Sequence, residues 1–187
     1  MKKRFVTIIA AALVGLFSAC SGTTDNATVD THDHSGHDHS EHMQASAALE
    51  PTQGNTVRGN VAFRQEADGR VRIIAEVSGL TPGEHGFHVH ENGDCSAPDA
   101  SSAGGHFNPH NTEHGKAGEG VHHAGDLPSL HADADGNAKL DVLLDGIELS
   151  GEHTIVGRSL IVHADPDDFI SQPTGNSGAR VACAVIR

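Results

Sequence analysis

Val57-Arg58-Gly59-Asn60-Val61-Ala62-Phe63-Arg64-Gln65-Glu66-Ala67-Asp68-Gly69-Arg70-Val71-Arg72-Ile73-Ile74-Ala75-Glu76-Val77 decides the fold class. Two strand-like runs, 57–64 and 71–77, flank Asp68-Gly69, a dipeptide that accepts the positive φ of a tight hairpin turn. The pattern returns at 86–90, at 138–144 after Asp135-Gly136, at 154–156, at 159–163 and at 181–186. No run of ten or more residues carries a helical period. The 22 glycines suit a chain with many tight turns, and with no Trp or Tyr the core must be mostly Val, Ile, Leu and Ala. These features predict an all-β domain with two long ordered loops, 91–126 and 164–178. A loop as long as the first is uncommon in a compact domain unless something orders it.

Histidines cluster in and beside those loops. His88 and His90, in Gly86-Phe87-His88-Val89-His90, stand two apart on a strand, so both imidazoles leave the same face and can grip one metal. His163 closes the run Leu160-Ile161-Val162-His163 and can return to that ion. His106 sits in Gly105-His106-Phe107-Asn108-Pro109. His114, then His123 and Asp126 in His123-Ala124-Gly125-Asp126, come from polar, glycine-rich sequence that can fold round a second ion. All-imidazole ligation favours copper or zinc, and a mixed His/Asp set suits zinc.

Five motifs, in order, resemble the copper/zinc superoxide dismutase family: Gly-Phe-His-Val-His, Gly-His-Phe-Asn-Pro, His-x-Gly-Asp, Gly-Arg-x-Leu-x-Val-His and Gly-x-x-Gly-x-Arg-x-Ala-Cys. Each alone is weak; five in sequence, over roughly residues 54–187, are specific. The resemblance implies an eight-stranded Greek-key barrel or sandwich. It implies copper on His88, His90, His106 and His163, and zinc on His106, His114, His123 and Asp126, with the His106 ring bridging both. It further implies that Arg180 guides the superoxide anion and that Asp167 links one ligand of each metal, although Asp165 and Asp168 crowd the same segment. Cys95 and Cys183 match the family's disulfide, which closes a loop of about 87 residues and is worth roughly 4 to 5 kcal/mol in the chain-entropy account. Metal and disulfide would then order the loop 91–126. Among the 16 histidines, His110, His122, His131 and His153 fall outside the motifs and read as surface residues, and His85 as a structural hydrogen-bonding one. The choice of His123 over His122 rests on the His-x-Gly-Asp register.

One departure stands out. The segment Phe169-Ile170-Ser171-Gln172-Pro173-Thr174 is short and uncharged, where eukaryotic members of the family carry lysine and glutamates for substrate steering. Steering here would rely on Arg180 and the metals, or on a basic residue elsewhere such as Lys116. Two competing readings use the same residues. A copper-buffering protein on this fold would be expected to have lost a copper ligand or the arginine, and none is missing. A zinc hydrolase needs an open zinc position, which four protein ligands deny.

The N-terminal region has a different character. Lys2, Lys3 and Arg4 precede an apolar run, Phe5 to Phe17, shorter than the roughly 20 residues of a membrane span, which predicts a secretory signal over 1–19. Cys20 after Ser18-Ala19 resembles a bacterial lipoprotein processing site, with lipidation of Cys20; the alternative is an ordinary signal peptide and an unpaired cysteine. Residues 20–50 are then expected to be a disordered tether of root-mean-square span about 30 Å, and 51–187 the folded domain. His32, His34, His37, His39 and His42, interleaved with acids, read as a metal-binding tract suited to acquiring copper. Loss of residues 1–19 takes the net charge from -13 to -16, which argues against nucleic acid as a partner. The expected protein is a cell-envelope enzyme, monomeric or homodimeric, that touches the membrane only through a lipid.

Overall fold

A computed structural model of the protein describes residues 43–187. The secretory signal, Cys20 and the five histidines of the tract lie outside the described residues. The expected all-β class holds. Nine antiparallel strands form one nearly closed barrel: β1 (Gln44–Pro51), β2 (Arg58–Gln65), β3 (Val71–Ser78), β4 (Gly83–His85), β5 (Phe87–His90), β6 (Leu130–Ala132), β7 (Ala138–Leu144), β8 (Ser159–His163) and β9 (Arg180–Val185). Their order round the sheet is β4-β6-β7-β3-β2-β1-β9-β8-β5. The count is nine where the resemblance implied eight, and β4 and β6 are strands of only three residues.

The hairpin that opened the sequence reading is β2–β3, in continuous register from Arg58↔Ser78 to Gln65↔Val71. Its alternation buries Val61, Phe63, Val71, Ile73, Ala75 and Val77 on one face and leaves charged residues on the other. Strands β5 and β8 are buried on both faces. Phe87 and Val89 join the barrel core, while His88 and His90 point to the opposite face, under the long loops. A bulge between Val162 and His163 shifts the β8–β9 register at the last residue of β8. Such a bulge re-aims a side chain at the rim of a barrel.

Two expectations are corrected. The tether does not extend to residue 50: Gln44–Pro51 is a full strand, paired with β2 over six residue pairs and with β9 at Glu50↔Cys183 and Pro51↔Ala182. Ala45, Ala47 and Leu49 alternate into the core. Small residues gave the segment a polar average composition, but a strand needs only a half-buried face and a ladder on each side. The strand expected at 154–156 is a turn with a single bridge, Glu148↔Thr154, although Ile155 is fully buried.

The loop 91–126 also holds more apolar substance than its composition suggested. A 3-10 turn at Ser101–Ala103 brings Ala100 and Ala103 against Ile161 and the Cys95–Cys183 disulfide, a small core of its own.

Candidate metal centre

Seven of the side chains singled out in the sequence meet on the face of the sheet away from the barrel core, under the long loops, all buried: His88, His90, His106, His114, His123, Asp126 and His163. β5 supplies His88 and His90, the bulged end of β8 supplies His163, and the long loop supplies the rest. Bridges from His88 to Asp126 and from His90 to His106 hold that loop against β5 like an extra strand. Gly125 has to be glycine here, because a Cβ would meet the Val89 carbonyl and the Phe107 amide.

Donor atoms of His88, His90, His106 and His163 lie within 4.8 Å of one another, and so do those of His106, His114, His123 and Asp126. His106 belongs to both sets. The hydrogen bonds fix which atom of each ring faces inward. His88 gives its Nε2–H to Asp167 Oδ2 at 2.7 Å, His90 its Nδ1–H to the Gly104 carbonyl at 2.9 Å, and His163 its Nδ1–H to the Gly178 carbonyl at 3.2 Å. Each ring is therefore held in the tautomer whose other nitrogen offers a lone pair. His88 Nδ1 and His106 Nε2 are buried without any hydrogen-bond partner, and His90 Nε2 faces His163 Nε2 at 3.3 Å. Two lone pairs turned on each other repel unless a cation accepts both. These donors fit a bound metal ion.

The second set converges on one carboxylate. Asp126 Oδ1 lies 2.9 Å from His106 Nδ1, 3.1 Å from His114 Nδ1 and 3.2 Å from His123 Nδ1. Its Oδ2 accepts the amides of His123 and Gly115, at 2.8 and 3.2 Å. His114 Nδ1 has no hydrogen-bond geometry even to that oxygen, since its Nε2–H goes to Asp167 Oδ1 at 2.9 Å. Three nitrogens and one oxygen match a tetrahedral zinc set. Asp167, rather than Asp165 or Asp168, thus joins one ring of each set. His122 bonds to the His123 carbonyl through Nδ1 and stays outside, and His85 spans the carbonyls of Thr81 and His163.

Electrostatics follow from burial. Desolvation, with help from neighbouring imidazoles, pushes His90 down to about 2 and His163 to about 3. It takes His106 to about 4 against the pull of Asp126. Burial alone would also depress His114, but the carboxylates of Asp126 and Asp167 together outweigh it and hold its pKa at about 9. Both carboxylates lie well below the usual range, because the histidine hydrogen bonds exceed the cost of burying them.

Arg180 stands at the edge of the first set. Partial burial lowers its pKa, but a guanidinium remains charged at any working pH. It donates to the Ala100 carbonyl at 2.6 Å and to Gly104 at 2.5 Å, the same Gly104 oxygen that orients His90. Thr52, just past β1, holds the Arg180 carbonyl at 2.8 Å. A cavity of about 400 Å³, lined by Thr52, Gln53, Asp99, Ser101, Gly178 and Arg180 among others, opens beside it. Hollows of about 670 and 520 Å³ lie elsewhere, over β2, β3 and β7, among arginines and acids. Lys116 is tied to Glu119 at 2.6 Å, so its charge is offset. The carbonyls of Gly104 and Gly178, Thr52 and Gln172 had no sequence signal, since backbone oxygens and long-range contacts leave none.

A β-barrel with two adjoining nitrogen-rich pockets that share a histidine is the frame of a dinuclear metalloprotein. The family model described as copper/zinc superoxide dismutase (SODC) matches residues 57–186. A "Superoxide dismutase [Cu-Zn]" of Onchocerca volvulus is 43% identical over 149 residues, covering 74% of this chain and 94% of that relative. The chain belongs to the copper/zinc superoxide dismutase family. It is an oxidoreductase that dismutes superoxide with copper and zinc.

Proposed function

We propose that copper is held by His88, His90, His106 and His163 and zinc by His106, His114, His123 and Asp126, with the His106 ring between them. The observation that carries this is the His106 ring itself: Nδ1 is turned to Asp126 at 2.9 Å, while Nε2 is buried, unpartnered and grouped with the donors of the other set. Copper, when bound, supplies one-electron exchange, so that one superoxide becomes dioxygen and a second, with two protons, becomes hydrogen peroxide. Arg180 attracts the anion and orients it with the donors its carbonyl bonds leave free. When Nε2 of His106 is not engaged as a ligand it would hold a proton and pass it to the second anion, a role suited to a ring whose other nitrogen is fixed. Asp167 keeps His88 and His114 in their tautomers, and the buried walls exclude bulk water from the rings.

Metal analysis of two variants tests the assignment. His163→Ala is expected to lose copper and activity and keep zinc. Asp126→Ala is expected to lose zinc first and retain some dismutation. Loss of the same metal in the same proportion from both would overturn it.

The site of action proposed is the cell envelope, with Cys20 carrying the lipid and the tract His32–His42 collecting copper, which tethering would concentrate near the site. Its support is the sequence of residues 1–42. Cys20→Ser should move the protein from the membrane to the soluble fraction. Deleting residues 31–42 should lower copper occupancy in copper-starved cells, with activity per bound copper unchanged. Full loading of the deletion variant under starvation would end the tract's role.

A further inference from the structure

The segment 169–174 is uncharged, yet the structure gives it a task. His114 is buried, and the partner of both its backbone N–H and its backbone C=O is one side chain from the other loop. Gln172 Oε1 accepts the His114 amide at 2.8 Å, and Gln172 Nε2 donates to the His114 carbonyl at 3.0 Å. A primary amide pairing with both groups of one residue acts as a short rung of β-sheet between two loops 58 positions apart.

The segment that presents Gln172 is ordered by its own polar atoms. The Asp168 carboxylate accepts from the amides of Ile170 and Ser171, at 2.9 and 2.8 Å, from the Ser171 hydroxyl at 2.7 Å and from Asn176 Nδ2 at 3.1 Å. Backbone bonds Asp168 N–H to Gly175 O and Gly175 N–H to Ser171 O close the turn, at 2.9 and 2.7 Å. Gly175, at φ 63, leaves room for Asp167 and the His114 ring, which a Cβ would strike. One loop therefore grips His114 twice: Asp167 at the ring and Gln172 at the peptide.

We propose that Gln172 is a positioning residue for the zinc ion, setting how long His114 stays in place and therefore how fast zinc leaves. This rests on reading His114 as a zinc ligand. Gln172 is exposed to solvent apart from its amide contacts, which include a 3.3 Å bond to the Ile170 carbonyl in its own loop, so replacing it leaves the core intact. Outer contacts that orient a metal ligand carry about 10- to 100-fold in metal affinity.

The full-length holoenzyme provides the test, with zinc transfer to a chromophoric chelator followed beside copper content and the copper absorption band. Gln172→Ala is expected to release zinc roughly 10- to 100-fold faster, with copper retained. Gln172→Glu keeps the acceptor for the His114 amide and loses the donor, so it should fall between. Ile170→Ala, in the same loop but with an exposed side chain, should match the wild type. Wild-type zinc release from Gln172→Ala would overturn the proposal. So would equal acceleration of copper and zinc, which would mean that the loop as a whole had loosened, since Asp167 on it also holds His88. His114→Ala separates the two layers: if that variant keeps zinc, the ligand reading fails; if it loses zinc while Gln172→Ala behaves as wild type, only the clamp fails.

Discussion

Arg180 is held by two carbonyls at 2.6 and 2.5 Å and lines a cavity with Thr52, Ser101 and Gly178. Arg180→Ala should slow dismutation, keep copper and flatten the dependence of rate on ionic strength, since salt screens the charge that has been removed. A salt profile like the wild type's would remove Arg180 as the guide. The histidines set a second prediction, for the metal-free protein. His90, His163 and His106 have folded pKa values of about 2, 3 and 4, below the unfolded value, so the unfolded chain binds more protons under pH 6.5 and stability falls with pH there. His114, raised to about 9, acts oppositely: its contribution is full below 6.5 and is lost as pH rises through 9. Three depressed rings outweigh one raised ring. Urea unfolding of chelator-treated protein should therefore show stability lower by on the order of 3 kcal/mol at pH 5 than at pH 7.5. Equal midpoints would contradict the burial argument. At this scale the site was largely legible, because metal chemistry demands particular side chains and His-x-His on a strand names a face. Asp167 could not be told from Asp165 and Asp168 until the loop's path put its two oxygens 2.7 and 2.9 Å from two rings. Gln172 was illegible, because an amide recognising a backbone has no spacing rule.

At the scale of elements, β1 and the long loop depend on connections distant in sequence. Leu49 is fully buried between β2 and β9, so Leu49→Ala should cost roughly 2 to 5 kcal/mol in denaturant unfolding. A cost near zero would show that the strand is dispensable. Cys183→Ser opens a link between residues 88 apart and disturbs the packing of Ala100 and Ala103. It should lower the melting temperature and accelerate zinc loss, with the chain-entropy contribution roughly 4 to 5 kcal/mol before native-state relaxation. Unchanged melting and metal content would count against that role. The β2–β3 hairpin, β5, β7, β8 and β9 could be read because large β-branched and aromatic residues alternate about turn dipeptides. β1 could not: its inward residues are Ala45, Ala47 and Leu49, and only pairing on both sides makes so slight a face sufficient. Nor could β4 and β6, which owe their existence to each other through Gly83↔Ala132 and His85↔Leu130.

Across the whole molecule, charge is sorted by function. The chain is strongly acidic, at -13, and most cations among the described residues are neutralised locally. Arg58, Arg64, Arg70, Arg72, Lys116 and Lys139 each meet a carboxylate within 2.8 Å. Exposed pairs like these add little stability, but they cancel fields that would draw an anion to the wrong face. Arg180, like Arg158 and Arg187, has no such carboxylate among the described ion pairs, so its charge is not cancelled by a neighbour. β1 adds a directional consequence. It enters the barrel at Gln44, beside Arg64, and ends at Pro51, one residue before Thr52, which holds Arg180. Eight residues of strand span about 24 Å. The start of β1 and the Thr52–Arg180 contact therefore lie about a strand's length apart. A bulky protein fused ahead of Met43 should leave kcat/KM for superoxide unchanged, whereas a bulky label on Ser101 should lower it. Bulk can thus be added ahead of β1 at a strand's length from the cavity that Arg180 lines.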